Sequence, residues 1–156
     1  MHRSLPIADV PEYRLEPRGW TALLDALGRA IVETGERLEK MREEDRPGLV
    51  VCVIVTDGHE NSSREFTLEQ IKSMIEHQHD VYKWQFNFLG ADAAAFDDAA
   101  NMGIPMAGAA RYDPRKLIAA YGLTSDVIAR MRAAASAGRK VSNVFTEAER
   151  RKMRGE

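Results

Sequence analysis

Seven consecutive apolar residues, Leu49-Val50-Val51-Cys52-Val53-Ile54-Val55, run without alternation into Thr56-Asp57-Gly58. Their short length and β-branching predict a strand rather than a helix. The lack of a polar face predicts burial on both sides. Such a strand sits centrally in a parallel sheet with helices on each face, so the expected fold class is α/β: three layers around a mostly parallel sheet. Asp57 and Gly58 then lie at the carboxyl end of the strand, where open sheets of this kind place their ligands. The same two residues also suit an ordinary turn, with an aspartate bonding loop amides beside a glycine free to take a positive φ.

The remaining pattern supplies partners for that strand. Residues 1–19 are punctuated by Pro6, Pro11 and Pro17 and closed by Gly19, which predicts an extended arm. From Trp20 the spacing turns helical. Trp20, Leu23, Leu24, Leu27, Ile31 and Leu38 share one face, while Arg29, Glu33, Glu36, Arg37, Glu39 and Lys40 lie largely elsewhere. The helix ends in the charged segment before Pro47-Gly48. After the apolar run, Thr67 and Gln70 form a capping box for a helix carrying Leu68, Ile71, Met74 and Ile75. Residues 84–89, Trp-Gln-Phe-Asn-Phe-Leu, alternate, which predicts a second strand with one face less deeply buried.

Further on, an alanine-rich helix is expected from Ala93 to Met102, stopped by Gly103. Residues 107–112 predict a third strand. Asp113-Pro114 reads as an N-cap with proline at the first helical position, opening a helix towards Ser136 with an interruption at Gly122. Thr146 and Glu149 form another capping box ahead of Arg150-Arg151-Lys152-Met153-Arg154, expected as a solvated or frayed basic end. The expected organisation is an arm over 1–19, an α/β domain over 20–138 and a polar tail with a short helix over 139–156.

A chain of 156 residues is one domain's worth. Its net charge of −2 and pI near 6.1 make no case for a nucleic-acid partner. The single cysteine, Cys52, lies inside the apolar run, so it forms no intramolecular disulfide and a reducing compartment is expected. The first residues lack the apolar core of a secretion signal, and no stretch reaches the length of a membrane span. A cytoplasmic protein without a membrane partner is the expectation.

Gly19-Trp20-Thr21-Ala22-Leu23-Leu24-Asp25-Ala26-Leu27, followed by Val53-Ile54-Val55-Thr56-Asp57-Gly58, resembles the second half of a von Willebrand factor A domain. In that family a Gly-x-Thr loop opens a helix, and a later buried strand ends in Thr-Asp-Gly. The strand at Trp84 to Gly90 and the helix after it also fit, so the resemblance covers about residues 13–135. It implies a Rossmann-like α/β fold and a metal-ion-dependent adhesion site that docks a protein partner. That site takes one element from an Asp-x-Ser-x-Ser loop, one from a threonine matching Thr21 and one from an aspartate matching Asp57. Mg²⁺ or Mn²⁺ would be held by oxygens and completed by a partner's acid. Gly58, His59, Glu60 and Asn61 would line the docking rim.

The chain departs from this pattern in one respect: it contains no Asp-x-Ser-x-Ser. Two elements without the third supply few oxygens, so the expected cofactor is none, or weakly held Mg²⁺ or Mn²⁺. Thr21 then serves as a helix N-cap and Asp57 as a turn residue. The family's first strand would lie beside the strand from residue 49 to 55. Without it that strand has an uncovered edge, an aggregation hazard unless a second copy or a complementing chain covers it. A truncated gene product explains the same absence.

Other chemistries are weaker on the page. His59, Glu60, His77 and His79 suit zinc by type, but His77 and His79 are two apart and share no helical face, and no His-Glu-x-x-His occurs. Asp57 as an aspartyl nucleophile would want a second nearby acid and a phosphate-binding lysine, but the one nearby lysine, Lys72, falls on the expected helix and no glycine-rich phosphate loop occurs. The expected function is a non-enzymatic protein-interaction module with an incomplete adhesion site. The alternative is a metal-free assembly subunit paired through its sheet edge.

Overall fold

The computed structural model describes residue 9, residues 21–58 and residues 60–156. The expected arm over 1–19, apart from Asp9, and the helical start at Trp20 lie outside the described residues, as does His59. Three strands alternate with helices. Helix α1 spans Leu23–Glu39, strand β1 Val51–Thr56, helix α2 Leu68–Tyr82 and strand β2 Gln85–Gly90. Helix α3 then covers Ala93–Asn101, strand β3 Ala109–Arg111, helix α4 Leu117–Ser136 and helix α5 Glu147–Arg154. All strand pairs are parallel and the order is β1-β2-β3. The expected α/β class is therefore present as a small parallel sheet with helical connections.

Strand order overturns one expectation. Among the described residues the apolar run is an edge strand, and β2 rather than β1 is the centre. Val51, Cys52 and Val53 are half-buried and Val55 is 36% exposed. Every residue of β2 is buried, including Gln85 and Asn87, although its alternation predicted one shallower face. A middle position in a two-sided sheet outweighs local polarity, because both faces of a central strand are covered by other elements.

Alternation along the strands separates two cores. Ile54, Phe86, Phe88 and Ala109 pack with Leu24, Leu27 and Ile31 of α1, Ile71 and Ile75 of α2, and Ala95 and Ala99 of α3. Leu89 and Ala110 pack with Ala120, Val127 and Met131 of α4, with Phe145, and with Met153 of α5. Helices that precede or link the strands thus share one core, and helices after β3 form the other.

Local signals place most helix ends. Thr67 Oγ1 accepts from Gln70 N while Gln70 Oε1 accepts from Thr67 N, and Thr146 and Glu149 repeat the arrangement at α5. Asp113 caps a short 3-10 turn, Pro114–Lys116, from which α4 starts. Helix α4 continues through Gly122 without the expected interruption. One glycine costs a helix only about 1 kcal/mol, less than the burial of Ala120, Thr124 and Val127 around it returns.

The stretch expected as a polar tail is built into the molecule. Phe145 and Met153 are core residues. The fully buried Asn87 amide donates to Asn143 O at 2.9 Å and Gly108 O at 3.1 Å, and the Asn143 amide donates to Phe86 O at 2.7 Å. Arg150 is no frayed end either: its guanidinium donates to the carbonyls of Phe145, Met106, Ala107 and Ala109.

Nothing lies within 4 Å of a Cβ built on Gly122. Gly122→Ala is expected to stabilise the fold by about 1 kcal/mol, the helix-propensity difference, measured by urea unfolding.

Candidate functional site

Two segments meet at the carboxyl end of β1: the loop 57–66 that leaves the strand and the first turn of α1. The N-cap of α1 is Ala22, whose side chain accepts nothing, so the expected N-cap at Thr21 is not formed. Helix N-termini carry free N–H groups and a positive partial charge. Here the loop satisfies them. Glu60 Oε2 accepts from Leu24 N at 2.8 Å, and Ser63 Oγ accepts from Asp25 N at 3.1 Å.

The helix returns the favour through Asp25. One oxygen of its carboxylate accepts from Glu65 N and Phe66 N at 2.9 and 3.0 Å, and the other accepts from Arg64 N at 2.9 Å. Glu60 also accepts from Ser62 N, Ser63 N and Ser63 Oγ at 2.9, 2.7 and 2.7 Å, folding the loop on itself. Arg29, one turn further on, makes a two-pronged ion pair with Glu65. Gly28 allows the close approach: a Cβ there would sit 2.6 Å from the Phe66 ring.

Thr21 enters the same cluster through its backbone. Its N–H donates to Asn61 Oδ1 at 2.9 Å, and its carbonyl accepts from Asn61 N at 3.1 Å. Its hydroxyl lies 3.5 Å from the position a Cβ of Gly58 would occupy. Thr56 Oγ1 donates to Gly58 O at 2.7 Å, so the strand's own threonine shapes the turn. Asp57 is exposed at the tip. Burial raises the Tyr112 phenol, and the charge of Asp57 adds to that rise.

Thr21, Gly58 and Asn61 are thus brought together, with Asp57 beside them. Glu60 and Asn61, expected on the docking rim, spend their polar atoms on Leu24, Ser62, Ser63 and Thr21. Asp25 is the functional neighbour that sequence reasoning missed. Its one local signal was an acid in the first turn of α1. Thr21 offers one hydroxyl and Asp57 one carboxylate to a divalent cation, whereas Asp25 and Glu60 are occupied by amides. These residues do not make a closed octahedral shell by themselves. Among the described residues, no three His, Cys, Asp or Glu side chains form a metal cluster.

The other candidates are dispersed. His79 Nδ1 lies 3.1 Å from the carbonyl of Trp84, and the His77 ring meets Tyr82 edge-on at 5.6 Å. Burial pushes the Cys52 thiol up to about 11, so it stays protonated at neutral pH. Among the described residues no helix is long and apolar enough to cross a membrane. Compared with known protein families, curated proteins and solved structures, the chain matches none.

Burial opposes ionisation of Glu60, and the amides of Leu24, Ser63 and Ser62 with the Ser63 hydroxyl outweigh it, holding the carboxyl below its ordinary value. Asp25 behaves alike: burial raises it, while the amides of Arg64, Glu65 and Phe66 and the charge of Arg29 lower it further. A depressed carboxylate adds stability above its unfolded value of about 4 and loses it as pH falls through the folded value. Glu60→Gln is expected to cost about 1–2 kcal/mol at neutral pH. It is also expected to flatten the loss of stability below about pH 4. Urea unfolding across pH measures both effects.

Proposed function

We propose that this chain is a protein-interaction module built like the second half of a von Willebrand factor A domain, and that it assembles by adding a strand to the outer edge of β1. The reading carries a three-layer arrangement with it. The separation of the cores, one shared by α1, α2 and α3 and the other by α4 and α5, supports that arrangement.

One observation carries the assembly. Val50 O accepts from Gln85 N and Thr56 O accepts from Ala91 N, so the even-numbered residues of β1 bond towards β2. Backbone groups alternate in direction along a strand, which turns those of Val51, Val53 and Val55 outward. No other described strand pairs with that edge. Unpaired amides beside the half-buried Val51 and Val53 and the exposed Val55 favour a strand of similar character.

The occupant is β1 of a second copy. It has the same valines and the same open edge, and antiparallel pairing of two such strands closes on a twofold axis and uses the β1 edge of both copies. A strand from a different polypeptide would satisfy the same groups and is the alternative outcome of the test. In this reading a metal is not required, since Thr21 and Asp57 supply too few oxygens.

Sedimentation velocity is expected to show a dimer. Val55→Lys, at an exposed edge position, is expected to yield a monomer with unchanged far-UV circular dichroism, because a lysine on an edge strand opposes pairing with another strand. A stable wild-type monomer would overturn edge pairing. Millimolar Mg²⁺ or Mn²⁺ is expected to leave the melting temperature unchanged. A rise abolished by Asp57→Ala would instead establish metal-assisted docking.

A further inference from the structure

A second feature lies at the carboxyl end of β3, away from the edge of β1. Arg111 is the last residue of β3, and α5 lays Arg150 and Arg154 beside it. With Phe96 and Glu156 they line an open cavity of about 500 Å³. A smaller one of about 230 Å³ adjoins it, bounded by Tyr112 and Pro114 and sharing Arg111 and Arg154.

The charges in this cavity do not cancel. Arg150 is held by four backbone carbonyls, with distances of 3.2 Å from Nε to Phe145 O and 2.9 and 2.8 Å from Nη2 to Met106 O and Ala107 O. Neutral carbonyls satisfy its hydrogens and leave its positive charge in place. Arg154 donates from Nε and Nη2 to the two carboxylate oxygens of Glu156, at 2.9 and 3.1 Å, and from Nη2 to Glu147 at 3.1 Å. Arg154 and then Arg151 and Arg111 favour the charged form of Glu156. Three guanidinium groups therefore face two carboxylates, Glu156 in the lining and Glu147 against Arg154, and the Glu156 side chain is 58% exposed.

We propose that Arg111 and Arg154, backed by the fixed charge of Arg150 and walled by Phe96, bind the oxyanion of a small phosphorylated or carboxylated ligand, and that Glu156 occupies the site in its absence. A guanidinium presents paired N–H groups that match two oxygens of either anion. Phe96 gives the non-ionic part of a ligand an apolar surface, and the position at the carboxyl ends of parallel strands is where such sheets receive ligands. The bidentate grip of Arg154 on Glu156 already displays the recognition geometry. This inference is independent of edge pairing at β1.

Calorimetric titration of the full chain with inorganic phosphate and with citrate tests it. Saturable binding is expected, and the tighter of the two anions assigns the ligand class. Arg111→Ala is expected to weaken binding by about tenfold, the loss of one charge-assisted contact. Glu156→Gln, at an exposed side chain, is expected to tighten it by about threefold through removal of the competing carboxylate. Far-UV circular dichroism confirms that both variants fold. Absence of saturation in wild type and Glu156→Gln alike, or equal affinity in wild type and Arg111→Ala, overturns the proposal.

Discussion

The carboxyl end of β1 depends on an exchange of hydrogen bonds between two segments some forty residues apart. Loop side chains Glu60 and Ser63 cap the first turn of α1, and Asp25 from that turn caps the amides at residues 64–66. Each side satisfies donors the other cannot satisfy alone. A buried or half-buried N–H left without an acceptor costs about 1–3 kcal/mol, so neither segment is free to rearrange independently. The ion pair of Arg29 with Glu65 and the packing of Phe66 on Gly28 extend the contact along the helix. This clamp sets the direction of α1 against the sheet and leaves Asp57 at the tip of the turn.

The sheet shows a complementary economy. Its central strand is buried throughout, and a buried asparagine and the 143–145 segment tie its far side to α5. Its β1 side ends in valines whose backbone groups face outward. Among the described residues no strand covers the β1 flank, and that open flank is the physical basis of the proposed function. The flank of β3 is a separate matter, where Arg150 brings a positive charge into the structure with only neutral oxygens as its direct hydrogen-bond partners.

Much of the element plan was legible in the residues because its signals are short-range. The capping pairs Thr67 with Gln70 and Thr146 with Glu149 operate within one turn, so spacing alone reveals them. The β-branched run became β1 and the alternating aromatic run became β2. The depth of each strand was not legible, since burial depends on which neighbours a strand acquires. Residues with more apolar composition took the edge, and residues with two polar side chains took the centre. Gly122 misled for a related reason: a local weakness in a helix is overridden when the residues around it are buried.

At the candidate site, the sequence by itself determined that a strand ends at Asp57-Gly58 and that a helix begins shortly after Thr21, because backbone propensity and hydrophobic spacing act over a few residues. Only the tertiary structure decided that Glu60 and Asn61 hold the loop and that Asp25 answers them. Those pairings join residues 36 to 41 positions apart, and no periodicity in a chain records which distant donors and acceptors the packing of its helices will bring within 3 Å.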